Sequence, residues 1–223
     1  MAAKKRKQTG QRLLRFDRAL GGRLVAGADE AGRGPLAGPL VVAGVLLDYT
    51  LLRDHRVRPL ALLNDSKQVD PATRDELYRA VLACAQRVSV RVFPAAVIDR
   101  EGLHRCNLQG LREALWACQP ADVSLVDGFK LGPSAPPHRA VVDGDCKSAA
   151  IAAASIVAKV TRDRYMHMTA DALYPGYGFA SHVGYITALH TTAVRERGPC
   201  EIHRRSWRAR AYLTDEELAA APV

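Results

Sequence analysis

Residues 27–39 read GADEAGRGPLAGP. Two acids, Asp29 and Glu30, stand side by side at the end of an apolar run, and Gly32, Arg33 and Gly34 follow at once. The run before them, RLVAGAD over 23–29, has strand character. The stretch after them, PLVVAGVLLD over 39–48, is apolar enough to be buried on both faces. The short glycine-rich connection predicts that the two strands are antiparallel neighbours. Adjacent residues on a regular strand point to opposite faces. Asp29 and Glu30 therefore share one site only if the strand breaks or twists there, which Gly32 and Gly34 permit.

Outward from this stretch, PATRDELYRAVLACAQ over 71–86 reads as a helix with proline at its tolerated first position. VSVRVF over 88–93 alternates as a strand does, and residues 94–118 carry one or two helices. VSLVD over 123–127 and AVVD over 140–143 are further strands. From Lys147 to about Thr169 runs an Ala-rich helix whose small side chains let it lie close against a sheet. This order predicts an α/β fold with a mixed five-stranded sheet flanked by helices. Residues from about 170 onward are expected to form a C-terminal helical portion of one domain spanning 21–212. Residues 1–20, with Lys4, Lys5, Arg6 and Lys7, read as a basic mobile tail. Residues 213–223 read as a short acidic tail with no assigned role.

The chain has 223 residues and a formal net charge of +9. Only 7 of its 32 basic residues are lysines, and an arginine bias suits phosphate recognition. The excess charge favours a polyanionic partner, nucleic acid before anionic membrane. Five cysteines, an odd number with no CxxC pair, argue against a disulfide framework or a zinc knuckle. No apolar run approaches the roughly 20 residues of a membrane span, and the first residues lack the apolar core of a secretory signal. These features predict a cytoplasmic protein with reduced thiols. Neither a GxGxxG fingerprint nor a Walker loop is present, so no nucleotide cofactor is expected.

Acids recur at the ends of the predicted strands: Asp29 and Glu30, then Asp127, then Asp143 or Asp145. Taken singly, each is an ordinary turn former or helix cap. Gathered at neighbouring strand ends they repel one another, and a divalent cation removes that cost. An all-oxygen donor set selects Mg²⁺ or Mn²⁺ over zinc. A concentrated acidic spot in a basic chain is the charge pattern of a two-metal phosphodiesterase. Arg33 lies between glycines, which let the backbone approach a ligand closely. Two other readings compete: a nuclease or resolvase of the same fold that cuts plain or branched DNA, and a basic RNA-binding module with structural acids.

The chain resembles the type 2 ribonuclease H family, ribonuclease HII. The resemblance rests on GADEAGRGPLAGPLVVAGV at 27–45, LNDSK at 63–67, LVDGF at 125–129 and GDCKSAAIAAASIVAKVTRDR at 144–164. YPGYGFASHVGY at 174–185 and GPCEIHRRSW at 198–207 continue it in order. It implies an RNase H-like fold and Mg²⁺ or Mn²⁺ dependence, acting as a monomer. It implies cleavage of the RNA strand of RNA–DNA hybrids and incision 5′ to single ribonucleotides in duplex DNA, leaving 3′-hydroxyl and 5′-phosphate ends. The four family carboxylates fall on Asp29, Glu30, Asp127 and Asp145, which selects Asp145 over Asp143 and leaves Asp163 structural. Asp29 is the acid implied to touch both metals, and Asp145 the one on the nucleophile side. The ribose-reading motif falls on Gly32, Arg33 and Gly34, the junction-sensing tyrosine on Tyr185, and phosphate-contacting lysines on Lys67 and Lys147. Val183 and Ile186 stand where the family often has Lys and Pro, and Ala150 where it has Ser.

Overall fold

The structure, a computed structural model, describes residues 2–52, 58–63, 66, 69–207 and 209–212. Strands β1 (Leu24–Ala31), β2 (Leu40–Asp48), β3 (Arg87–Phe93), β4 (Val123–Asp127) and β5 (Arg139–Val141) form one mixed sheet in the order β3-β2-β1-β4-β5. Every residue of β2 is buried, as its unbroken apolar run requires. β1 pairs antiparallel with β2 and parallel with β4, and β4 pairs parallel with β5. The carboxyl ends of β1 and β4, which carry the acids, therefore lie side by side at one edge of the sheet.

Helices α1 (Ala2–Ala19), α2 (Pro71–Cys84), α3 (Ala95–Glu101), α4 (Leu103–Ala117) and α5 (Ala149–Arg164) follow the expected order after α1. Asp70 caps α2 by accepting from Thr73 N at 3.0 Å, with Pro71 in the first turn. α5 runs on through a π-helical turn, Tyr165–Ala170. Farther along lie two short helices, α6 (Phe179–His182) and α7 (Ala188–Arg197). The described residues fall into two compact units. The first holds most of the sheet with α1, α2, α4 from Asn107 and α5 as far as Val160. The second is built from Gly32–Leu40, Phe93–Cys106 and the chain from Thr161.

Within the first unit, α5 presents Ala149, Ala150, Ala152, Ala153 and Ala154 to the core, all fully buried. A Cβ on Gly27 of β1 would lie 2.2 Å from the carbonyl carbon of Ala150 and 2.3 Å from Ile151 N. The obstacle is helix backbone, which has no rotamer to move. Gly27→Ala should therefore cost about 3 kcal/mol by overpacking. In a chain of this size that is a fall of about 6–12 °C in the melting midpoint, read by thermal denaturation. An unchanged midpoint would contradict so close a helix–strand approach.

The segment read as a mobile tail is helical over Ala2–Ala19. Leu13 and Leu14 are buried in the core of the first unit, so the apolar pair in QRLLRF anchors it. Asp17 is fully buried; it accepts from Tyr49 Oη at 2.7 Å and from Ala150 N at 2.9 Å. Arg12 donates to the Cys146 carbonyl at 3.1 Å. The expected tail thus braces the start of α5 and the turn before it. Asp17 supplies an acceptor to an N-terminal N–H of α5, and a negative charge is favourable there. The tail over 213–223 lies outside the described residues.

In the second unit the core gathers Ala37, Met166, Ala170, Tyr177, Phe179, Ala193 and Val194. All five cysteines are free thiols. Among the described residues no helix is long and apolar enough to cross a membrane.

Candidate active site

Asp29 and Glu30 do not sit at a break in β1. The ladder to β2 continues through both, with Asp29 opposite Ala43, Glu30 opposite Val42 and Ala31 opposite Val41. Asp29 is almost fully buried, and its Oδ1 accepts from the N–H of Glu30 at 2.7 Å. Ser155 of α5 also bonds the Asp29 carboxylate. Ser155 Oγ lies 3.0 Å from Ser66 Oγ. A hydroxyl has one proton to donate. With Ser155 donating to Asp29, Ser66 donates to Ser155, and the two serines form a relay that fixes the carboxylate.

Burial holds the Asp29 carboxyl well above the ordinary carboxylate range, and the charges of Glu30 and then Asp127 push it further up. Asp127, at the end of β4, accepts from Gly144 N through Oδ1 at 2.6 Å. Asp143 takes the left-handed conformation (φ 50°), which Asp tolerates, and turns the chain from β5 into the 3₁₀ turn Gly144–Cys146. Asp145 lies in that turn, directly after the glycine tied to Asp127. The structure thus brings Asp29, Glu30 and Asp127 within electrostatic reach and ties the Asp145 turn to Asp127. Among the described residues no three His, Cys, Asp or Glu side chains already stand close enough to hold a metal ion. The donor chemistry nonetheless fits a hard divalent cation. It is all oxygen, and its buried carboxyl is pushed upward by burial and then by neighbouring negative charge, which a cation would offset.

The GRG loop belongs to the second unit, and two buried arginines hold it. Arg162 donates from Nε to Pro39 O at 2.9 Å, from Nη1 to Val183 O at 3.0 Å and from Nη2 to Ala37 O at 3.0 Å. Arg204 donates from Nη2 to Gly32 O at 2.6 Å, from Nη1 to Arg33 O at 3.1 Å and from Nε to Gly38 O at 3.0 Å. Burial lowers both guanidinium values, that of Arg204 to about 10, which leaves Arg204 charged at neutral pH. In a planar trans peptide the N–H points opposite to the C=O. With the carbonyls of Gly32 and Arg33 turned inward to Arg204, the N–H groups of Arg33 and Gly34 turn outward, and both residues are exposed. Gly32 has φ 93°, and a Cβ there would lie 2.2 Å from Arg162 Nε, so only glycine fits.

Tyr185 is on the surface, 41% exposed, and not a core tyrosine. A Cβ on Gly34 would lie 3.6 Å from its ring, so loop and ring are neighbours. The Gly184 carbonyl accepts from Leu36 N at 2.8 Å and Ala37 N at 3.2 Å, which fastens the tyrosine's segment to the same loop. Val183 occupies the left-handed region (φ 44°), which is costly for a β-branched residue. Its carbonyl is held by Arg162 and its N–H by Phe179 O at 2.9 Å. Ile186 is exposed. Lys147 is exposed and donates from Nζ to Val142 O at 2.7 Å. Lys67 lies outside the described residues. The sequence reading missed Ser155, Arg162, Arg204 and Asp17. Ser155 had a visible signal, a lone hydroxyl in the buried-helix pattern AAASIVAK, whereas Arg162 and Arg204 look like surface arginines.

Residues 26–210 match the family described as Ribonuclease HII. The chain belongs to the ribonuclease HII family. Ribonuclease HII of Salinispora tropica is 50% identical over 199 residues, 87% of this chain and 72% of that protein. The solved ribonuclease H2 of Pyrococcus horikoshii OT3 superposes with a TM-score of 0.66 at 26% identity, covering 82% of this chain and 93% of that one. RNase HII of Archaeoglobus fulgidus, solved in a complex with PCNA, gives a TM-score of 0.69 at 25% identity and covers 86% of this chain and 99% of that one. The expected RNase H-like fold, a mixed five-stranded sheet flanked by helices, is the one found. As a member of the ribonuclease HII family the chain is an endoribonuclease of the ribonuclease H type.

Proposed function

We propose that this ribonuclease HII cleaves the RNA strand of RNA–DNA hybrids and incises 5′ to single ribonucleotides in duplex DNA, using two Mg²⁺ or Mn²⁺ ions. The observation that carries the reading of ribose is the Arg204-anchored loop, with the Arg33 and Gly34 amides turned outward beside the exposed ring of Tyr185. A 2′-hydroxyl is both donor and acceptor, and it is what separates RNA from DNA at a given nucleotide. Two outward amides offer donors to it. The Tyr185 ring offers a flat face to the following sugar, where a ribose hydroxyl would obstruct the stack.

Asp29, Glu30, Asp127 and Asp145 are the residues that would hold the metals. When bound, divalent cations supply Lewis acidity at the scissile phosphate and lower the pKa of the attacking water. The residues of the chain do the rest. The Ser66–Ser155 relay and the Glu30 N–H keep the Asp29 oxygens oriented. The Gly144 N–H keeps Asp127 oriented. Exposed Arg33 and Lys147 offer charge to the backbone phosphates, and such contacts weaken with salt; the same role for Lys67, outside the described residues, rests on the LNDSK motif alone. The acting form is read as a cytoplasmic monomer.

The test uses three labelled duplexes of one sequence: one internal ribonucleotide, a continuous RNA strand on DNA, and all DNA. Each is incubated with Mg²⁺, Mn²⁺ or EDTA. The expected result is metal-dependent cutting 5′ to the single ribonucleotide and within the RNA strand, with the all-DNA duplex intact. Equal cutting of the all-DNA duplex would favour a nuclease that does not read ribose. Salt-sensitive binding with no metal-dependent product would favour a binding module.

A further inference from the structure

Three buried histidines lie outside the site described above, all in the second unit. His182 stacks on His190 with ring centres 4.3 Å apart and planes at 17°. His190 Nε2 lies 3.0 Å from His203 Nε2. Around them stand Tyr177, Phe179 and Tyr212, with the Cys200 thiol 3.1 Å from His203 Nδ1 and the Arg205 guanidinium also acting on His203.

The hydrogen-bond partners determine every proton. His190 Nδ1 is 2.8 Å from the Tyr185 carbonyl, which only accepts, so Nδ1 carries the hydrogen. His190 Nε2 then accepts from the Nε2–H of His203. His203 Nδ1 is left to accept from Cys200 N at 3.0 Å. His182 Nε2 donates to Tyr177 O at 2.8 Å, and its Nδ1 accepts from Gly184 N at 3.2 Å. All bonds are made only when all three rings are neutral. Burial agrees with this, holding His190 and His203 down to about 4.

Two of these bonds end on consecutive residues, Gly184 N and Tyr185 O. They grip the peptide group that leads into Gly184 and the one that follows Tyr185, and so hold the Gly184–Tyr185 pair at both ends. We propose that His190, backed by His182 and His203, is a positioning residue for Tyr185, and that it sets the enzyme's preference for a single-ribonucleotide junction over continuous RNA. This rests on the reading of Tyr185 as the junction-sensing ring. Loss of the His190 bond frees the Tyr185 carbonyl and lets the exposed ring shift, and a displacement of about 1 Å is enough to change rates by orders of magnitude.

The test compares two conservative variants. Asparagine at 190 carries its N–H donor near the Nδ1 position and keeps the bond to Tyr185 O. Glutamine reaches the Nε2 position and keeps the contact with His203 instead. For His190→Asn, His190→Gln, Tyr185→Ala and the wild type, the ratio of cleavage rates on the single-ribonucleotide duplex and the continuous hybrid is measured. We expect the ratio to fall about tenfold in His190→Gln and to stay within about twofold in His190→Asn. A purely structural role lowers both rates together and leaves the ratio unchanged. If Tyr185→Ala lowers the ratio but the two His190 variants behave alike, the positioning role is overturned and the reading of Tyr185 stands. If Tyr185→Ala leaves the ratio unchanged, the reading of Tyr185 falls, and the role of His190 falls with it.

Discussion

Asp29→Asn should abolish metal-dependent cleavage while making the metal-free protein more stable. The activity loss is expected to reach at least about 10³-fold in kcat, equivalent to about 4 kcal/mol of barrier. Asparagine keeps an oxygen that can accept from Glu30 N and Ser155, so the local fold survives. It loses the charge through which Asp29 is proposed to hold a divalent cation. The stability gain follows from the raised carboxyl. Burial first, then the charges of Glu30 and Asp127, make the folded state hold this proton to a higher pH than the unfolded chain does. Such a group lowers stability as pH rises through its unfolded value of about 3.8 toward its folded one. At neutral pH without cation, the Asp29→Asn protein should therefore melt a few degrees above the wild type, about 2–4 °C per kcal/mol relieved. Below the unfolded carboxylate value the difference should vanish, since both states then hold the proton. Added Mn²⁺ should raise the wild-type midpoint and leave the variant unmoved, since only a state that binds the ion is stabilised. A variant with wild-type turnover would remove Asp29 from the metal-holding set.

Arg204→Met has the second large effect, and it falls on stability and on ribose reading together. The guanidinium is fully buried and serves the carbonyls of Gly32, Arg33 and Gly38. Methionine fills similar space but donates nothing, so these acceptors lose a charged partner. Hydrogen bonds to charged groups contribute about 1.5–3 kcal/mol each, and the losses are not additive. A total of about 3–5 kcal/mol is expected, a fall of about 6–20 °C in the melting midpoint. With the carbonyls unheld, the Arg33 and Gly34 amides lose their outward orientation. Discrimination between the ribonucleotide duplex and the all-DNA duplex should then fall, whereas salt-dependent DNA binding is retained. Lysine at 204 should recover part of the stability but not the discrimination, because one ammonium does not reproduce a planar fork. A stable Arg204→Met protein with intact discrimination would contradict the anchoring role.

What could be read from the sequence divides along physical lines. The strands and main helices are visible because their signals are local: the apolar run of β2, the alternation of β3, and the proline and Asp70 at the start of α2. The acids are visible because they end apolar strands, where an ionised group needs a reason. The antiparallel β1–β2 pair follows from the short connection between them. The quoted motifs, through their resemblance to ribonuclease HII, lead to the same family as the match over residues 26–210.

The tertiary structure decided what depends on distant partners. No local pattern says that Asp29 and Glu30 remain in a regular ladder, or that the site is organised by Ser155 and Ser66, 89 residues apart. The first residues read as a charged tail because their basic cluster outweighs one apolar pair. Only the packed structure reveals Leu13 and Leu14 in the core and Asp17 at the start of α5, 133 residues away. Arg162 and Arg204 look like surface charges in a basic chain. They are buried because five loop carbonyls and that of Val183 converge on them. Sequence alone determines which residues are apolar, charged or conformationally free. Which charge is buried, and which backbone atoms satisfy it, is settled by contacts between segments far apart in the chain, because burial is a property of the packed whole.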